Sequence, residues 1–229
     1  MTPHVAAVAV VPVRGLANSK SRLAGVLDAE AREAVTRRML RTVIHAALGS
    51  GAVAGVAVIS PDPAALALAR QIDPRVIAIE QGSAPPGLNA AVTAGRDWAI
   101  GRGATRLLVL FGDLPLLTAI DVRALAGERA PVVLAADRHG RGTNAMAIGI
   151  DEAEVCAFRF GFGPDSLAYH RAEAERLGLA VTSFNALGTA HDLDTPADLA
   201  IALDAGADVS VSDVPSGRET EPVCVGDRR

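Results

Sequence analysis

The chain is 229 residues long, half of them hydrophobic and only 3% aromatic, enough aliphatic Ala, Val and Leu to bury a substantial core in one domain. A formal charge of -4, with Lys and Arg scattered instead of striped between aromatics, argues against nucleic acid and fits a small anionic ligand held by a few local cations. Two cysteines, Cys156 and Cys224, neither in a Cys-x-x-Cys pair, argue against a disulfide framework or a structural zinc site.

The first element is a strand-like run from Val5 to Val11. It is too short to span a bilayer and has neither a basic n-region nor a small-residue cleavage site, so a soluble, cytoplasmic protein is expected. A basic loop of small residues follows, Arg14-Gly-Leu-Ala-Asn-Ser-Lys-Ser-Arg22, and a helix is expected over Ala29 to Leu48. Further strands are expected near Gly55 to Ser60, Val76 to Ile79, Arg106 to Phe111, Val132 to Ala136, Ala145 to Ile148 and Ala180 to Phe184. Helices are expected near Pro63 to Gln71, Leu88 to Gly101, Pro164 to Leu177 and Pro196 to Leu203. Asp62 and Thr195 stand just before Pro63 and Pro196, the pairing of an N-cap with proline at the first helical position. The alternation of strand and helix signals predicts an α/β fold, a mostly parallel central sheet flanked by helices, occupying residues 1–205. Beyond Ala205 the pattern dissolves into Asp, Ser, Pro, Gly and Glu, which reads as a flexible tail over residues 206–229.

In such a sheet, ligands gather outside the carboxyl ends of the strands. Arg14, Lys20 and Arg22 lie in the loop after the first strand, where cations and backbone N–H groups can neutralise a triphosphate. There is no Gly-x-x-x-x-Gly-Lys-Ser/Thr, so this is not a P-loop. Asp113, after Gly112, ends the buried run Leu107-Leu-Val-Leu-Phe111, and a hard cation such as Mg²⁺ takes carboxylate and phosphate oxygens. A turn Asp bonded to its own backbone is the competing explanation. Asp192 and Asp194 flank Leu193, so in extended chain both carboxylates point one way while the leucine faces the core. Asp198 is expected to complement the dipole of the helix that follows.

Two later segments suit an anion. Asp137 to Met146 has two glycines that free the backbone and Thr143 to supply a hydroxyl. In Phe160-Gly-Phe-Gly-Pro-Asp-Ser166, Pro164 is positioned to open a helix whose N-terminus can receive a phosphate or carboxylate. His170, four residues after Ser166 on the same helical face, fits a structural hydrogen-bonding role better than a catalytic one. Together these groups suggest a Mg²⁺-assisted nucleotidyl transfer.

With these residues in place, the chain resembles the CofC/FbiD family, the guanylyltransferases of coenzyme F420 biosynthesis. The resemblance is collinear up to the tail. It runs through Val11-Pro-Val-Arg14, Ala17-Asn-Ser-Lys-Ser-Arg-Leu23, Arg37-Arg-Met-Leu40, Gly87-Leu-Asn-Ala90 and Gly112-Asp-Leu-Pro115. It continues through Gly142-Thr-Asn-Ala145, Phe162-Gly-Pro-Asp-Ser166 with His170, and Asp192-Leu-Asp-Thr-Pro196. The resemblance implies a GT-A-like, Rossmann-related nucleotidyltransferase fold that joins GMP from GTP to the phosphate of a three-carbon acid. It implies that Asp113, Asp192 and Asp194 hold Mg²⁺, that Arg14, Lys20 and Arg22 meet the GTP phosphates, and that Gly87, Asn89 and Gly112 contact the nucleotide. Thr143, Gly163 and Ser166 match positions that bind the acid.

The acceptors implied are phosphoenolpyruvate and 3-phospho-D-glycerate, favoured by the bacterial look of the Ala- and Arg-rich composition, and 2-phospho-L-lactate. The doublet Phe160-Gly-Phe-Gly163 leaves two registers for the acid-binding loop, and Asn144 after Thr143 bears on acceptor choice. The resemblance leaves open a homodimer and a hand-off of the labile product to the next transferase. The rivals are a molybdopterin guanylyltransferase-like or sugar-phosphate nucleotidyltransferase and a non-catalytic nucleotide-binding protein. The first loop, Pro12-Val-Arg-Gly-Leu-Ala-Asn-Ser-Lys20, departs from the glycine-rich loop of the former, and the three carboxylates argue against the latter.

Overall fold

The computed structural model describes residues 7–17, 19–82, 87–151 and 156–209. Aliphatic and β-branched runs form a seven-stranded sheet in the order β3-β2-β1-β4-β6-β5-β7. The strands are β1 (Ala7–Pro12), β2 (Val56–Ser60), β3 (Val76–Glu80), β4 (Arg106–Leu110), β5 (Val132–Ala136), β6 (Thr143–Gly149) and β7 (Val181–Phe184). Neighbours are parallel except around β6, which runs antiparallel to both β4 and β5. That reversal brings the first residues of β6, Thr143 and Asn144, to the sheet edge where β1 and β4 end.

The helices are α1 (Ala29–Gly49), α2 (Pro63–Ile72), α3 (Leu88–Gly101), α4 (Ala119–Gly127), α5 (Ser166–Arg176), α6 (Leu187–Ala190) and α7 (Pro196–Asp204). Strand periodicity of two sorts the core into layers. Ala9 and Val11 of β1 pack with Leu40 and Val43 of α1, Leu68 of α2 and Val122 of α4. Val8 and Val10 pack with Ala91 and Val92 of α3 and Ala174 of α5. Buried on both faces, β1, β2, β4 and β5 carry nearly unbroken apolar runs where alternation would mark a half-exposed sheet. Gly95 lets α3 lie close on the sheet, because a Cβ there would stand 2.6 Å from Val10 Cγ1.

Several boundaries differ from expectation. The helix after Thr118 was not expected; its signal is the capping box in which Thr118 accepts from Asp121 N–H and the Asp121 carboxylate accepts from Thr118 N–H. Helix α5 begins at Ser166 rather than Pro164, because Asp165, at φ 54, takes a left-handed turn first. The short α6 and a 3₁₀ turn at Ser21–Leu23 carry no periodic signal at all. Packing also runs past Ala205: Val209 is 2% exposed in a cluster with Leu23, Val35, Met39 and Leu193. Asp208 pairs with Arg38 at 2.8 Å. The remainder of the expected tail, with Cys224, lies outside the described residues. Among those described, no helix is long and apolar enough to cross a membrane.

Candidate active site

After β1 the chain builds β2 and β3 on one side, then crosses back to place β4 on the other side of β1. This reversal of winding opens a crevice at the carboxyl ends of β1 and β4. The loop after β1 carries Lys20, and the loop after β4 carries Gly112 and Asp113.

The first loop is held from three directions. Asp62, the N-cap of α2, accepts from Ala64 N–H with one carboxylate oxygen and from Leu16 N–H, at 2.8 Å, with the other. Ser19 Oγ lies 2.7 Å from both Leu16 O and Thr36 Oγ1. Lys20 itself is left-handed, at φ 53 and ψ 44, just before the 3₁₀ turn that sends Leu23 into the core. There Leu23 packs in one cluster with Leu193, the residue between Asp192 and Asp194. The backbone completes the approach, since Leu193 N–H donates to Asp113 O at 3.0 Å. Two apolar side chains and one main-chain bond therefore bring three distant segments together.

Their polar groups meet at Lys20. Its ammonium donates to Asp113 Oδ2 at 2.7 Å and to Asp194 Oδ1 at 2.8 Å, and Arg22 stands 3.6 Å from the other Asp194 oxygen. Burial works against the Lys20 charge, but the carboxylates of Asp113 and Asp194 outweigh it and hold its pKa above the ordinary lysine value. Asp192 completes the group. Burial pushes its carboxyl up from the usual range, the Asp113 charge adds to the rise, and the Asn144 amide, donating at 3.1 Å, opposes it.

The donor set suits a hard cation: the oxygens are carboxylate, and Asp113 Oδ1 is buried with no hydrogen-bond partner. As the side chains stand, however, no three His, Cys, Asp or Glu groups among the described residues form a ready cage. The Lys20 ammonium occupies the place between Asp113 and Asp194, a role the sequence pattern does not reveal.

A second set of contacts surrounds the β6 start. Thr143 and Asn144 are consecutive strand residues, and their bonds run to different partners. Asn144 reaches the Asp192 carboxylate, while Thr143 N–H donates to Ser166 Oγ at 2.9 Å and Thr143 Oγ1 lies 3.1 Å from His170 Nδ1. Asn144 thus joins Asp192, while its neighbour Thr143 joins Ser166 and His170. Gly163, at φ 145, is exposed on the loop just before α5.

The other expected residues divide. Arg14 is exposed on the first loop, and Gly112 lies beside Asp113 against Leu40 and Val13. Gly87, at φ 105, is the N-cap of α3. Asn89 is committed elsewhere: its amide accepts from Phe162 N–H at 2.7 Å and donates to Phe162 O at 3.2 Å, clamping the 160–163 loop to α3. The same side chain thus buttresses the 160–163 loop. Asp198 does more than face a dipole: it closes a capping box with Thr195 and pairs with Arg138 at 2.6 Å.

A mixed sheet with its crevice at β1 and β4, lined by a basic loop and strand-end carboxylates, offers the anion and cation sites that a nucleotidyltransferase requires. Solved structures agree in fold: a nucleotidyl transferase from Methanothermobacter superposes with TM-score 0.61 at 17% identity, covering 87% of this chain and 97% of that one. CMP:2-keto-3-deoxy-manno-octonic acid synthetase complexed with CTP gives 0.59 at 19% identity, covering 87% and 98%. The family model described as "Guanylyl transferase CofC like" matches residues 7–213, and the chain belongs to that family of guanylyltransferases. Phosphoenolpyruvate guanylyltransferase from Rubrobacter xylanophilus is 42% identical over 195 residues, covering 84% of this chain and 91% of the relative. The enzymes of that name from Sphaerobacter thermophilus and Mycobacterium ulcerans are 40% and 36% identical, covering 84% and 86% of this chain and 90% and 88% of theirs.

Proposed function

We propose that this guanylyltransferase moves GMP from GTP to the phosphate of phosphoenolpyruvate, releasing pyrophosphate, in the cytoplasmic synthesis of coenzyme F420. The observation that carries the reading is the convergence of Lys20 with Asp113 and Asp194 at the ends of β1 and β4. The names of the relatives support the acceptor.

An acceptor phosphate oxygen attacks the α-phosphorus of GTP. The new O–P bond forms as the bond to the bridging β-oxygen breaks, and pyrophosphate leaves with that electron pair. A phosphate monoester with a second pKa of about 6 is already largely a dianion near neutral pH, so the attacking oxygen has no proton to lose. The protein's share is position and charge. Lys20 and Arg22, with Arg14 from the same loop, meet the triphosphate, while Gly87 and Gly112 give the nucleotide room to approach backbone. Thr143, Gly163 and Ser166 hold the acid. Asp113, Asp192 and Asp194 are the residues that would hold Mg²⁺, which supplies neutralisation of phosphate charge when bound.

The test is incubation with GTP, Mg²⁺ and phosphoenolpyruvate, 3-phospho-D-glycerate or 2-phospho-L-lactate in turn, with mass detection of the guanylylated acid. Product from phosphoenolpyruvate in preference to the other two is expected. Preference for another acid would reassign the acceptor, and no product from any would overturn the reading.

A further inference from the structure

The acid side contains a buried imidazole with no part in the transfer step. His170, on α5, is fully buried, and its ring links the start of β6 at Thr143 to the 160–163 loop at Gly161. Gly161 N–H lies 3.1 Å from Nε2 and donates to it. A backbone N–H can only donate, so Nε2 carries no proton. Burial holds the ring neutral, which leaves the single proton on Nδ1, facing Thr143 Oγ1 at 3.1 Å. The bond therefore runs from imidazole to hydroxyl. Phe162 fixes the ring further, edge-on with centroids 4.6 Å apart.

This direction decides what Thr143 can offer. Its oxygen accepts from His170, so its own hydrogen remains to donate. Ser166 Oγ accepts from Thr143 N–H, which leaves the Ser166 hydrogen equally available. Each of these hydroxyls, on residues 1% and 2% exposed, has an acceptor site filled from within the protein and, among the described residues, no acceptor for its own hydrogen. An O–H donor bonds most strongly to an ionised acceptor.

We infer that His170 is a positioning residue which turns Thr143 into a hydrogen-bond donor for an anionic group of the acceptor acid, and so sets acid affinity without touching the substrate. The inference rests on the assignment of Thr143 and Ser166 to the acid in the proposed function. His170→Gln and His170→Asn separate the two bonds: Gln reaches as far as Nε2 and can accept from Gly161, whereas Asn reaches as far as Nδ1 and can donate to Thr143.

Steady-state kinetics with each substrate varied in turn give the readout. His170→Gln is expected to raise KM for the acid about tenfold, the effect of one lost oriented bond, with KM for GTP and kcat close to wild type. His170→Asn is expected to keep the acid KM near wild type. Thr143→Val removes the hydroxyl at constant shape and carries the test if His170→Gln does not fold. In the double variant His170 should add nothing further, since it acts through that hydroxyl. An unchanged acid KM in Thr143→Val, or KM values for acid and GTP rising together in folded His170→Gln, would overturn the inference while the function stands. Absence of product from wild type with all three acids would instead bring down the function and this inference with it.

Discussion

Lys20 Nζ and Asp113 Oδ2 belong to residues 93 positions apart and lie 2.7 Å from each other across the β1–β4 crevice. The same ammonium binds Asp194, so one lysine serves as internal counterion for carboxylates from two loops. Carboxylates crowded together repel one another, and Lys20 offsets that cost.

Replacing Lys20 by Met should therefore affect stability as well as turnover. Asp113 and Asp194 are 30% and 43% exposed, so water takes up part of the uncovered charge. The loss should be about 1–3 kcal/mol, below that of a fully buried pair. Urea unfolding at low salt measures it, and an unchanged midpoint would show that Lys20 is dispensable as a counterion. Because Lys20 sits on the same oxygens a divalent ion would take, nucleotide-free Mn²⁺ binding by Lys20→Met should equal or exceed that of wild type.

Asn144 steadies Asp192 through a bond of 3.1 Å. Asn144→Ala removes that donor and leaves a half-buried carboxylate whose pKa already stands high. On the proposed metal role of Asp192, Mn²⁺ affinity should fall about tenfold or more, with little change in melting temperature. Titration followed by electron paramagnetic resonance distinguishes this from a role in acid selection, which would leave the metal affinity alone.

His170 predicts a dependence of stability on pH. Burial pushes its imidazole down to about 4, against an ordinary value of 6.5, with the Glu173 charge opposing. A lowered folded-state pKa means that the folded protein prefers the neutral ring. Its contribution is complete above pH 6.5 and is lost as pH falls towards 4. Stability should decline over that window by up to about 3 kcal/mol, and His170→Gln should remove this part of the slope. Denaturant titrations at several pH values compare the two proteins; parallel curves would mean that the ring is not held neutral.

Gly95→Ala tests the seating of α3. The added methyl would meet Val10 Cγ1 at 2.6 Å, Val10 Cγ2 at 2.8 Å and Ile59 Cδ1 at 2.9 Å, all inside the packed layer. Overpacking of this kind should cost about 1–3 kcal/mol and lower the melting temperature. A variant as stable as wild type would show that α3 can lift off the sheet freely.

The features legible in the sequence are those encoded locally. Asp62 before Pro63 and Thr195 before Pro196 mark helix starts in the structure as they do in the sequence, and Leu193 between two aspartates faces the core as alternation requires. Helix α4 was missed because Pro115 and the Leu116-Leu117 pair blurred the periodicity ahead of Thr118, although its capping box was present. Long-range bonds were not legible. Nothing near Asn89 in sequence indicates that its amide is taken by Phe162, 73 residues away, or that Lys20 turns left-handed to face Asp113. The partition of Thr143 and Asn144 could have been found, since adjacent strand residues point to opposite faces.

The most direct test of the account compares pyrophosphate release by wild type and Asp113→Asn, with GTP, Mg²⁺ and phosphoenolpyruvate, in preparations matched by circular dichroism. The substitution keeps the side chain's shape and removes its charge from the oxygens that face Lys20. A fall in rate of about a hundredfold or more is predicted, the scale of losing one preorganised electrostatic group. A folded Asp113→Asn protein that releases pyrophosphate at the wild-type rate would contradict the assignment of the β1–β4 crevice as the reacting centre.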